Sequence, residues 1–157
     1  MNELFLQWHT FFEQLADAYT PVLLVVALIY CFRTWKNLAP WLQLFSSILV
    51  VYGWMFIDNK YHLWPKVGLD YSTHTAAALA LTIFISVRQR NILVVLGLWS
   101  VLLGCGQLMV LLGYHSWQDI LSTALVVGCF TGSIYILYSR LSMACVSTNL
   151  RCNQLNQ

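Results

Sequence analysis

The stretch from Asn37 to Ile57, NLAPWLQLFSSILVVYGWMFI, runs for 21 residues without an Asp, Glu, Lys or Arg. A helix needs about 20 mostly apolar residues to cross the hydrocarbon core of a bilayer, so this segment reads as a transmembrane helix. Its neighbours repeat the pattern. Four further charge-free stretches run from Ala18 to Phe32, Tyr71 to Val87, Asn91 to Gln118 and Ile120 to Ser139. The last fits one crossing directly. The stretch starting at Asn91 is too long for one crossing, and its end (Gly113, Tyr114, His115, Ser116, Trp117) reads as a loop. The sequence therefore predicts an all-α polytopic transmembrane helical bundle of about five spans in a single membrane domain.

Composition agrees with this. Of 157 residues 59% are apolar and 9% charged, against about 25% charged in an ordinary soluble domain. Such a chain is not a water-soluble enzyme, a disordered segment or a nucleic-acid binder. Ahead of the first span, Leu4, Phe5, Trp8, Phe11, Phe12 and Leu15 recur at helical spacing with Glu3, Gln7, Glu13 and Gln14 between them. That pattern predicts an interfacial helix over residues 1–17. It lacks the basic start of a secretory signal. The bundle then occupies residues 18–139 and a polar, frayed tail residues 140–157.

The fourteen charges are unevenly placed. Arg33, Lys36, Arg88, Arg90, Arg140 and Arg151 fall on one side of the predicted membrane, while Lys60 and Lys66 alone fall on the other. Excess Lys and Arg mark the cytoplasmic side, which predicts an N-terminus outside and a C-terminus in the cytoplasm. Every acid (Glu3, Glu13, Asp17, Asp58, Asp70, Asp119) and every His (His9, His62, His74, His115) then faces the non-cytoplasmic side. Acids do little to set topology, so their gathering there points to chemistry. Of five Cys, Cys31, Cys105 and Cys129 lie within spans as small apolar residues. Cys145 and Cys152 lie on the cytoplasmic side, where lipidation is the alternative to a bare thiol.

Two polar clusters stand where a loop turns into a membrane helix. Asp70, Tyr71, Ser72, Thr73, His74 and Thr75 open the third span. Ser72 and Thr73 can cap it, and its first-turn N–H groups suit a phosphate, with His74 beside them to protonate a departing oxygen. Gly113 to Asp119 opens the fifth span. His115 and Asp119 are four apart, one helical turn, so the carboxylate is expected to fix the imidazole tautomer and free Nε2 for attack. Lys60 and Lys66 are the cations available to a phosphate on that face. Capping, snorkelling and headgroup contact are the ordinary roles of the same residues.

His74, followed 41 residues later by His115 and then by Asp119, resembles the type-2 phosphatidic acid phosphatase superfamily, with the sphingomyelin synthase branch nearest in wording. Tyr71, Ser72, Thr73, His74 and Thr75 are similar to that family's second motif, and His115, Asp119 and Ile120 to the end of its third. The resemblance covers about residues 41–138. It implies that His115 is the nucleophile, Asp119 its orienting carboxylate and His74 the general acid, with Lys60, Lys66, Ser72 and Thr73 around the phosphate. It further implies a phosphohistidine intermediate, a lipid phosphate or pyrophosphate as substrate, and no cofactor. The first-motif Lys-x6-Arg-Pro is absent. Leu108 and Met109 stand where the third motif carries Ser-Arg, and Thr73 replaces the second-motif Gly.

The expected function is therefore an integral-membrane lipid phosphatase working at the non-cytoplasmic face of a bacterial inner membrane or a eukaryotic secretory membrane. Its expected partners are the lipid phosphate and membrane lipids; nothing indicates an oligomer. A headgroup phosphotransferase of the same mechanism is one alternative. A zinc-dependent hydrolase, with His74, His115 and Asp119 as ligands and water in the fourth place, is another. A non-catalytic lipid-binding or assembly subunit is the reading the missing Arg residues favour, and a haem held between His74 and His115 completes the set.

Overall fold

The computed structural model describes the backbone of residues 3–155 and the side chains of residues 10–140. It is all-helical, as the charge-free runs predict. Five α-helices, α1 (Glu3–Arg33), α2 (Leu38–Tyr61), α3 (Thr73–Ser86), α4 (Ile92–Leu111) and α5 (Trp117–Leu155), follow one another, with a single 3-10 turn at Pro65–Val67. Short joints separate them. Asn37 caps α2 and Asn91 caps α4 through side-chain oxygens that accept the N–H two residues on, an N-cap that holds a helix start where the apolar run begins. Segments within α1, α2, α4 and α5 are long and apolar enough to cross a membrane.

The third helix departs from the expected span. It has 14 residues, about 21 Å of rise against a hydrocarbon core of about 30 Å. It packs against all four other helices and is the most deeply buried. Ala76, Ala78, Leu79, Ala80, Leu81, Thr82, Phe84 and Ile85 are all buried. The alanines let neighbouring backbones come close, which is how helices associate where lipid is as apolar as their own side chains. By contrast α4 buries only Gly106 and Met109 and leaves Leu93, Leu96, Leu103 and Leu111 outside, the inverted surface expected of a lipid-facing helix.

Because α3 is short, the segment before it must be satisfied inside the bundle. Its polar groups find partners in α2 and α5. Asp58 accepts the Trp64 N–H at 2.8 Å, Trp64 Nε1 donates to Ser122 Oγ at 3.0 Å, and the Tyr71 hydroxyl donates to the Val51 carbonyl at 2.9 Å. Gly68 takes φ 73° to close the 3-10 turn.

Two boundaries differ from the sequence reading. The interfacial helix and first span are one continuous helix, α1, whose membrane-length part is Thr10–Arg33. Residues 13–16 are good helix formers with no Gly or Pro to break them; Pro21 lies within the helix. At the other end α5 continues to Leu155 instead of stopping at the predicted tail. The side chains of Leu4, Phe5, Trp8 and His9, and of Cys145, Arg151 and Cys152, lie outside the described residues. Cys31, Cys105 and Cys129 are free thiols on the helices; Cys31 is buried as expected of a small apolar residue, whereas Cys105 is partly buried and Cys129 exposed.

Candidate active site

Ser116 and Asp119 close the start of α5 reciprocally. The Asp119 N–H donates to Ser116 Oγ at 3.2 Å, while Asp119 Oδ2 accepts the Ser116 N–H at 2.7 Å and its hydroxyl at 2.8 Å. This is a capping box with Asp in the place usually held by Glu. The other oxygen, Oδ1, accepts the Asp70 N–H at 2.8 Å. Two residues on, the Ser72 N–H donates to Thr123 Oγ1 at 3.2 Å. The loop before α3 is thereby fastened along the first turn of α5, and the two helix starts are held side by side.

That arrangement corrects the expected role of Asp119. Ser116 caps the helix, so α5 begins at Trp117 and His115 lies in the loop, where the one-turn spacing no longer applies. With both carboxylate oxygens engaged elsewhere, Asp119 braces the loops. The carboxylate that meets His115 is Asp70, whose Oδ2 stands 3.4 Å from Nδ1. The His115 side chain is only 14% exposed, and Nδ1 is fully buried without a formed hydrogen bond.

His74 lies in the first turn of α3, 54% exposed, with Nε2 3.7 Å from the Asp17 carboxylate on α1. One turn earlier on α1, Glu13 accepts a 2.6 Å hydrogen bond from the Tyr114 hydroxyl, an interaction that raises the Tyr114 phenol above its ordinary value. The five acids with described side chains thus have structural explanations, while the Glu3 side chain lies outside the described residues. Glu13 holds the α4–α5 loop, Asp17 faces His74, Asp58 holds the loop before α3, Asp70 faces His115, and Asp119 ties two loops together. The two imidazoles occupy the same end of the bundle, each beside a different carboxylate.

The expected phosphate ligands fare unequally. Ser72 is completely buried and caps α3, its oxygen within 2.8 Å of Thr75 Oγ1 and accepting the Thr75 N–H at 3.4 Å. Its hydroxyl is therefore committed to the fold and does not face a ligand. Thr73 is half-buried in the first turn, where a helix supplies no acceptor for its leading N–H groups. Lys60 and Lys66 are both exposed; the Lys60 ammonium lies 5.4 Å from the Tyr61 ring. Among the described residues no three His, Cys, Asp or Glu side chains gather as a metal site, so the ligand set of the zinc reading is not assembled.

Below His74, between α1, α3, α4 and α5, is an apolar cavity of about 140 Å³ bordered by Tyr19, Trp99, Gly106, Met109 and Trp117. Sequence reasoning missed two features here. The Ser-x-x-Asp spacing at Ser116, which overlaps the His-x3-Asp, is a local signal for a capping box. The Asp70–His115 pairing joins loops 45 residues apart and carries no local signal. No protein-family model, curated protein or solved structure matches the chain.

Proposed function

We propose that this chain is a membrane-embedded lipid phosphatase in which His115 is the nucleophile, Asp70 orients it, and His74 is the general acid. The observation that carries the reading is the His115–Asp70 pair, a mostly buried imidazole whose Nδ1 is 3.4 Å from a carboxylate. Separations of this kind are often long without substrate and tighten when it binds. Once the Nδ1–H donates to Asp70 in the substrate complex, Nε2 would keep its lone pair for attack.

In the proposed reaction Nε2 forms a bond to phosphorus as the phosphorus–oxygen bond to the lipid alcohol breaks. His74 gives the departing oxygen its proton. Water then cleaves the phosphorus–nitrogen bond, releasing inorganic phosphate and restoring His115. An alcohol in place of that water gives headgroup transfer by the same intermediate. The first-turn N–H groups of α3 and the two lysines would offset charge on the phosphate oxygens, and the apolar cavity bordered by His74 suits a lipid chain. The positive-inside rule assigns this end to the non-cytoplasmic side.

The test is inorganic phosphate release from a panel of lipid phosphates by the purified protein, run with and without EDTA. His115→Ala is expected to lower release by at least about a thousandfold while the melting temperature stays near that of the parent. Activity is expected to survive the chelator. Turnover that persists in His115→Ala overturns the assignment; release by neither protein favours the lipid-binding subunit, for which the exposed, unclamped lysines speak.

A further inference from the structure

Arg88, just past the end of α3, lies at the opposite end of the bundle and is half-buried. Its guanidinium is stacked 3.8 Å from the Phe84 ring centre, with Tyr30 at 5.4 Å and Tyr135 at 5.6 Å. Nη1 donates to the Phe84 carbonyl at 2.8 Å and Nη2 to Gln43 Oε1. Those contacts use two of five N–H donors. Among the described residues no carboxylate compensates the charge. The sequence has no acid in residues 18–57, 71–118 or 120–157, the segments that build this end, and the acids whose contacts are described serve the other.

A guanidinium drawn among three aromatic rings without an anion is costly unless one is supplied. Topology does not require it, because exposed Arg33, Lys36, Arg90 and Arg140 already mark this end as basic. Capping the Phe84 carbonyl occupies only one N–H. Beside Arg88 opens a cleft of about 540 Å³ bordered by Tyr30, Asn37, Gln43, Tyr135 and Ser139, within the ~300–1,000 Å³ of ordinary ligand sites. The Tyr135 hydroxyl, on a residue that borders this cleft, is buried beside the Ser47 hydroxyl and the Arg88 guanidinium, with no well-aligned hydrogen bond to either.

We propose that this cleft binds a phosphate group through the remaining Arg88 donors and the Tyr135 hydroxyl, its source being an anionic phospholipid headgroup. A basic pocket between membrane helices, with apolar Pro40, Val87 and Ile136 in its wall, suits a lipid better than a fully hydrated ion. The site is separate from His115 and stands whether or not that residue is a nucleophile.

Thermal melting in detergent tests it, with added phosphatidylglycerol, phosphatidylcholine or inorganic phosphate. Phosphatidylglycerol is expected to raise the melting temperature of the parent and phosphatidylcholine to leave it unchanged. Arg88→Gln is expected to weaken the apparent lipid affinity about tenfold or more. Tyr135→Phe, which keeps the ring and its packing, should weaken it about two- to tenfold, and it carries the test should Arg88→Gln fail to fold. A shift from inorganic phosphate that both substitutions diminish would uphold the phosphate site and assign it to a soluble source. Equal stabilisation by the two lipids, no stabilisation by either phosphatidylglycerol or inorganic phosphate, or an effect undiminished in Tyr135→Phe and Arg88→Gln overturns the proposal.

Discussion

Asp70 and Asp119 are joined by one hydrogen bond yet do different work. The Asp70 side chain is 68% exposed beside His115, and nothing in the fold depends on its carboxylate. Asp70→Asn is therefore expected to cut phosphate release by about tenfold or more, through loss of the charge that stabilises the His115 proton, with the melting temperature little changed. Asp119 is buried and accepts three hydrogen bonds. Asp119→Ala removes a helix cap and strands the Asp70 N–H, costing about 2–4 kcal/mol. It should lower the melting temperature and the activity together. If Asp119→Ala spared stability while Asp70→Asn spared activity, the roles would be those first expected from the His-x3-Asp spacing. That spacing was legible, but the helix start that decides its meaning was not used, because a Ser one residue after the His shifts the first turn past it.

Among the elements, the loop before α3 and α3 itself set the depth of the site. Gly68, like His62 at the start of the same loop, adopts a left-handed conformation, with open space around any added Cβ. Gly68→Ala is therefore strained by backbone alone, by about 1–2 kcal/mol. Gly97 on α4 also has nothing within 4 Å of an added Cβ but sits in helical backbone, so Gly97→Ala should be neutral or slightly stabilising. Melting curves of the two variants check this; equal destabilisation would refute the account of the loop. The helices were readable as elements because long charge-free runs leave little else possible in a bilayer. Their ends were less so. Polar Ser72, Thr73 and His74 gave a hint that the third stretch was short for a span, yet only packing shows α3 to be the centre of the bundle.

At the scale of the whole molecule, the five helices carry Glu13, Asp17, His74 and His115 to one end and Arg88 to the other. If the basic end is cytoplasmic, as the excess of Lys and Arg argues, a reporter active only in the cytoplasm should work when fused after Gln157. One active only across the membrane should fail there. The reverse result would turn the molecule over and move the His115 chemistry to the cytoplasmic face. By itself the sequence determined that this is a helical membrane bundle, because hydrocarbon excludes charge and so writes the spans into composition. Only the tertiary structure decided which carboxylate meets which imidazole, that Asp119 is a brace, and that Arg88 sits among aromatic rings. Those pairings cross tens of residues and depend on the rotation and depth of each helix, which packing sets and local spacing does not encode.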